Sequence, residues 1–262
     1  MTDETPSAET RPRDPLAWFG SGRGGAAAVA ISVLALGLAA APYATGGDFG
    51  GKVRAYLMAN PQVLDEVVQA RQAAEETNRV ETINRTVAAN AALLAPDPRD
   101  PAFGPANAEV TVIEFFDYRC PGCKAVSPEV LALMTANPDV RFVFKEWPIL
   151  DRGGDTTSNY AARAALAAHR QGRYLAVHQA LMAEDALTPE AVDRVLAANG
   201  VAMDQAAQTI ADPQTDRQLA DIHTIGATLG LVGTPTFLIN GKTTASIDPQ
   251  EVQAAITAAK AG

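Results

Sequence analysis

The spacing of hydrophobic positions changes several times along the chain, and each change marks an element. Residues 1–22 are polar, punctuated by Pro6, Pro12, Pro15, Gly20 and Gly22, and show no apolar period. An uncharged run, GGAAAVAISVLALGLAAA, follows from Gly24 to Ala41. From 49 to 95 the pattern is helical with one break at Asn60-Pro61, where proline suits a first helical turn and Asn60 its cap. In the second helix Val80, Ile83, Val87, Ala91 and Leu94 recur at three- and four-residue steps, a narrow stripe on a polar rod. Such a stripe packs either on its own domain or on another copy of the chain. A homo-oligomer formed through residues 49–95 is the expectation. Prolines at 96, 98, 101 and 105 then block helix and predict a semi-rigid linker over 96–106.

A compact domain is expected over 107–262. Residues 110–118, VTVIEFFDY, are apolar on both faces and suit a central strand covered on two sides. A helix from Cys120 to about Met134 and a second strand over 140–147, VRFVFKEW, complete a parallel strand–helix–strand unit. From about 155 to 230 the pattern is helical without a repeat period. Thr188-Pro189 and Asp212-Pro213 read as caps followed by first-turn prolines, and Gly200 and Gly230 as helix ends. Strand signals return at Thr236–Ile239. Asn240-Gly241 predicts a tight hairpin with Lys242–Ser246 as the partner strand. Asp248-Pro249 opens a last helix with Val252 and Ile256 facing inward. The fold class is α/β.

Composition narrows this picture. A chain of 262 residues accommodates one or two domains. Its net charge of −9 excludes nucleic acid as a partner, because phosphate binding begins with a basic footprint. Alanine makes up roughly a fifth of the residues, which favours helix, and 6% aromatic content argues against a β-sandwich. The run 24–41, behind Arg11, Arg13 and Arg23, reads as an export signal. Ala39 and Ala41 have cleavage-site spacing, but Pro42 would follow the cut, so residues 1–44 form either a removed signal peptide or a cytoplasmic tail with a membrane anchor. Either way the remainder is expected in an oxidising, periplasm-like space.

The two cysteines stand at Cys120 and Cys123, with Pro121-Gly122 between them, where the strand passes into the helix. A cysteine at a helix amino terminus has its thiolate stabilised by unpaired N–H groups and the helix dipole. The thiolate is the nucleophile of thiol–disulfide exchange, and a second cysteine one turn on resolves the mixed disulfide. Half of a zinc site lacks a second cysteine pair, since His169, His178 and His223 all fall in the helical stretch. A copper(I) site made of the same two thiolates is the alternative from another functional class. Glu114 stands inside the apolar strand, where burial would raise its pKa and fit it to relay a proton to or from Cys123. Lys145 in the neighbouring strand is its candidate charge partner.

FFDYRCPGCK at 115–124 and GTPTFLING at 233–241 resemble the DsbA-like branch of the thioredoxin superfamily, over roughly residues 107–262. The resemblance implies a thioredoxin-like fold with an inserted helical subdomain and a cis peptide between Thr234 and Pro235. Pro235 would lie against the disulfide, and Thr234 would offer backbone groups to a bound peptide. Pro121-Gly122 departs from the Pro-His of the strongest oxidases, which removes one source of thiolate stabilisation. The layout of helix and linker over 49–106 is similar to the suppressor-of-copper-sensitivity C proteins. Together these imply an exported thiol–disulfide oxidoreductase acting on cysteine-containing proteins, recycled by a membrane-bound or periplasmic dithiol partner. No metal or organic cofactor is expected beyond the redox-active Cys120–Cys123 disulfide.

Overall fold

The computed structural model describes residues 29–37 and 49–262. Most of the expected signal or anchor, and any cleavage point near Ala41, lie outside the described residues. Among the described residues no helix is long and apolar enough to cross a membrane. They form two compact units, one ending at Ala70 and one running from Arg71 to Gly262.

The first unit holds α1 (29–37), α2 (Phe49–Ala59) and the opening turns of α3 (Gln62–Ala89). The break falls at Asn60-Pro61 as expected. The Asn60 side chain, however, donates from Nδ2 back to the Tyr56 carbonyl at 2.9 Å, so it closes α2 instead of capping α3. Helix α2 buries none of its residues, and Phe49, Tyr56, Met58, Leu64 and Val67 are exposed.

In the second unit a five-stranded sheet runs in the order β1-β3-β2-β4-β5. Its strands are β1 (Ala102–Phe103), β2 (Thr111–Phe116), β3 (Arg141–Glu146), β4 (Thr236–Ile239) and β5 (Lys242–Thr243). β2 and β3 are parallel, joined through α4 (Pro121–Ala136); the other pairings are antiparallel. Five helices stand between β3 and β4, namely α5 (Thr157–Arg170), α6 (Tyr174–Ala183), α7 (Pro189–Ala198), α8 (Met203–Ile210) and α9 (Pro213–Leu229). The caps read from sequence are present: Thr188, Asp212 and Asp248 accept from backbone N–H groups of α7, α9 and α10 (Pro249–Ala261). Asn240 and Gly241 both take positive φ, 46° and 78°, which the tight β4–β5 turn requires. The partner strand is shorter than expected and ends at Thr243.

Strand alternation divides the core in two. Val112 and Phe116 of β2 join Phe142 and Phe144 of β3 against α4, α5, α6 and α10. Ile113 and Phe115 face the other way, where Ile222 and Leu229 of α9 and Ile83 and Val87 of α3 cover them. The apolar stripe of α3 is therefore used, at Ile83 and Val87, by its own domain. Its role in self-association is corrected to that extent. The helix needs a hydrophobic cover for those positions, and the second sheet face supplies it.

The proline-rich stretch is likewise more than a spacer. Proline forbids helix but tolerates extended backbone at a sheet edge. Ala102 and Phe103 pair with Val143 and Phe142, and the Pro101 carbonyl accepts from Phe144 N at 2.9 Å. Asp100 is buried and forms an ion pair with Lys145, with both side chains 3% exposed or less. Lys145 lies on the face of Val143, opposite Glu114, because neighbours along a strand point to opposite sides. Its expected pairing with Glu114 is thus replaced by Asp100.

Lys145→Met should lower stability by about 3–5 kcal/mol, because it leaves a buried carboxylate without its cation. Adding Asp100→Leu should recover most of that loss in denaturant unfolding. A single-variant loss below about 1 kcal/mol would show that Asp100 does not depend on the pair.

Candidate active site

Strand β2 ends at Phe116, and the chain turns through Asp117, Tyr118 and Arg119 into α4. Cys120 N donates to the Asp117 carbonyl at 3.0 Å, and the Cys120 carbonyl accepts from Lys124 N at 3.1 Å to open the first helical turn. Cys120 is therefore the N-cap of α4, with Pro121 in its first turn. Cys120 remains 8% exposed and Cys123 is fully buried. Both are free thiols.

The loop before β4 closes over this end of α4. Thr234–Pro235 is a cis peptide, and the Cys120 thiol donates to the Thr234 carbonyl at 3.0 Å. A Cβ at Gly122 would meet Pro235 Cδ at 3.3 Å and Ile247 Cδ1 at 3.6 Å, so the cis-proline loop packs closely on the turn between the cysteines. Cys120, Pro121, Gly122, Cys123, Thr234 and Pro235 are thus brought together from segments more than a hundred residues apart.

The two thiols are driven in opposite directions. The hydrogen bond from Cys123 first, then the Thr234 side chain and the backbone of Cys123 and Gly122, hold Cys120 down at about 5 against the opposing effect of burial. Burial first, then the adjacent Cys120, pushes Cys123 far above the usual thiol range. Glu114 lies on the face of β2 shared with Val112 and Phe116, the side that α4 covers. Burial, then the Cys120 charge, pushes its carboxyl up to about 8. The charge of Glu114 in turn contributes to raising Cys123.

Several site-supporting residues had no counterpart in the sequence reading. The Asp117 carboxylate is buried and accepts from Arg119 N (2.7 Å), Ile149 N (2.8 Å), Leu150 N (3.0 Å) and Ser158 Oγ (2.9 Å). It ties the cysteine loop to the chain beyond β3 and to α5. Glu146 accepts from the Tyr118 and Tyr174 hydroxyls at 3.1 and 2.8 Å, and His178 Nδ1 lies 3.0 Å from the same Tyr118 hydroxyl. Burial pushes His178 down to about 3, so the ring is neutral, and pushes Glu146 well above the carboxylate range. The signal for both acids was the one used for Glu114, a carboxylate within or at the end of an apolar strand. His223 stacks edge-on to Trp147, consistent with a helix-face residue. Among the described residues no group of three or more His, Cys, Asp or Glu side chains is arranged to hold a metal ion.

Residues 97–258 match the family model described as thioredoxin. The chain belongs to the thioredoxin family. Residues 48–76 separately match the model of the copper resistance protein ScsC N-terminal domain. A thioredoxin-like oxidoreductase of Silicibacter pomeroyi DSS-3 is 36% identical, covers 63% of this chain and 95% of its own, and superposes with a TM-score of 0.59. The thiol-disulfide exchange protein alpha-DsbA2 of Wolbachia pipientis, 21% identical, covers 69% and 97% at 0.62. ScsC of Proteus mirabilis in a transitional conformation, 22% identical, covers 84% and 98% at 0.60. At such identities these last two share the fold. Among curated relatives, the Na(+)/H(+) antiporter NhaA 3 of Salinispora tropica is 33% identical over 153 residues, 57% of this chain. The chain spans about a quarter of the length of the curated relatives it matches.

Alkylation of the reduced protein should titrate with a midpoint near pH 5, against 9.0 for an ordinary thiol. A thiol whose pKa is lowered on folding stabilises the folded state fully above the unfolded value, and loses that contribution as pH falls through the folded one. Rates of iodoacetamide modification, followed by mass from pH 3 to 9, test this (roughly the span set by the two values). The modification should fall on Cys120 and vanish in Cys120→Ser. A midpoint above about 7.5 would remove the stabilised thiolate.

Proposed function

We propose that the domain exchanges disulfides with the cysteines of extracytoplasmic proteins, using Cys120 as nucleophile and Cys123 as resolving thiol. The observation that carries this is the opposed pair of thiols: Cys120, still 8% exposed beside the cis-proline loop and shifted toward the thiolate, and Cys123, fully buried and shifted toward the thiol. In the reducing direction, the Cys120 thiolate attacks a substrate disulfide, forms a mixed disulfide and releases one substrate thiolate. Cys123 then passes its proton to the Glu114 carboxylate and attacks Cys120 Sγ. The second substrate thiolate leaves, and Cys120–Cys123 is oxidised. Oxidation of a substrate dithiol runs the same steps backward. Thr234 presents backbone groups to the bound segment. A membrane-bound or periplasmic dithiol protein restores the starting state. Export through residues 24–41, as a cleaved signal or as an anchor, is part of the same reading. So is self-association through the exposed apolar residues of α2 and the start of α3. The copper resistance description of the family model that residues 48–76 match favours a second reading, copper(I) held by the two thiolates. Copper(I) titration of the reduced protein, with and without Cys120→Ser, tests it.

A thiolate pKa between those of thioredoxin and DsbA should give an intermediate potential, roughly −180 mV, the range of protein disulfide isomerase. Equilibration with glutathione measures it, and a value near about −270 mV would contradict the stabilised Cys120 thiolate. Glu114→Gln should slow the resolving step by roughly a hundredfold, so that the mixed disulfide with Cys120 accumulates in quenched samples. Unchanged resolution would remove Glu114 from the proton path.

A further inference from the structure

Beside the cis-proline loop lies a cleft of about 310 Å³ with a wall that comes from outside the sheet-and-helix core. Glu76, Arg79 and Val80 of α3 line it together with Thr234, Pro235 and Ile247. On that wall the two oxygens of Glu76 have different fates. Oε2 is engaged by Arg79. Oε1 is buried and has no hydrogen-bond partner. A carboxylate oxygen taken from water without a donor is an uncompensated expense for the fold, and native structures satisfy the great majority of such groups. Glu76 lines the cleft and its side chain as a whole is 30% exposed, so a small side-chain rotation would turn Oε1 toward a donor held there.

The opposite rim is apolar. Ile247 lies against the Gly122 position, next to the attacking cysteine, and Ile247 and Val232 are 41% and 74% exposed. A polypeptide whose cysteine meets Cys120 would lay a neighbouring apolar side chain on this rim and send another side chain toward Glu76. The donor that best suits a carboxylate is charged, because charge-assisted hydrogen bonds are roughly twice as strong as neutral ones. The net charge of −9 also draws cationic segments toward the protein.

We propose that Glu76 is a specificity-determining residue, which selects a lysine or arginine near the reacting cysteine of the polypeptide bound in this cleft. The assignment rests on the thiol–disulfide reading and adds the substrate class. It also gives α3 a second task besides covering the sheet.

The test uses the reduced, full chain and peptides carrying one leucine-flanked cysteine as a mixed disulfide with glutathione. Lysine or glutamate is placed in turn at each position on either side of the cysteine. At one position the second-order rate constant of this single-turnover reaction for the lysine peptide should exceed that for the glutamate peptide by about tenfold, mainly through the half-saturating peptide concentration. Glu76→Gln should reduce that ratio to about twofold or less. Arg79→Met keeps the carboxylate and frees its second oxygen, so the ratio should rise. A wild-type ratio near one at every position, a ratio undiminished in Glu76→Gln, or one that fails to rise in Arg79→Met would overturn the assignment. Failure of the underlying reading would look different: wild-type protein would leave every peptide disulfide, and glutathione disulfide, unreduced.

Discussion

β2 is buried on both faces, so every side chain along it is committed to one of two cores, and each core needs its own cover. Val112 and Phe116 require α4 and the helical insertion, whereas Ile113 and Phe115 require α9 and the second half of α3. The alternation is strict, because a step of one residue reverses the direction of the side chain. It places Glu114 on the side of the cysteines and Lys145, in the next strand, on the side away from them. A one-residue slip in β2 would exchange these roles and bury the carboxylate in the core away from the cysteines. The chemistry of the site therefore begins with the register of a strand that contains neither sulfur.

Burial and hydrogen bonding then make two identical thiols different. Cys120 caps a helix, where N–H groups lack intrahelical partners and favour a thiolate. Cys123, one turn further in, is sealed from water and adjoins that thiolate, so it retains its proton. In the proposed exchange this difference would set the order of events, with the Cys120 thiolate attacking while the buried Cys123 thiol waits. Glu114 has a raised pKa for the same reason as Cys123, since both are charges the core will not solvate. Groups whose pKa values are forced apart within one site are suited to pass a proton between them.

The helical insertion takes part in the site through polar contacts. Asp117 collects four donors from the cysteine loop, the chain after β3 and α5. The Glu146 carboxyl, two tyrosine hydroxyls and the His178 ring connect β3 and the loop to α6. Buried polar groups of this kind are stable only when satisfied together, so each helps to hold the others in one arrangement. They set the position of the Cys120 loop relative to the insertion without touching the reacting sulfurs.

What depends on near neighbours in the chain is legible in the order of residues. The buried strand, the helix caps, the hairpin at Asn240-Gly241 and the placing of Cys120 at a helix start all follow from short-range pattern. So does the suspicion of Glu114, since a carboxylate in an apolar strand is conspicuous wherever the strand goes. Partners across the chain are set by the packed fold. Asp100, read as part of a linker, neutralises Lys145 from 45 residues away; Ile83 and Val87 cover a sheet face rather than serving only another chain; His178 ends beside Tyr118. The physical reason is that propensity and capping act within a turn or two. Which charge is neutralised, which apolar stripe is covered and which cysteine keeps its proton depend on what lies within a few ångströms across the fold.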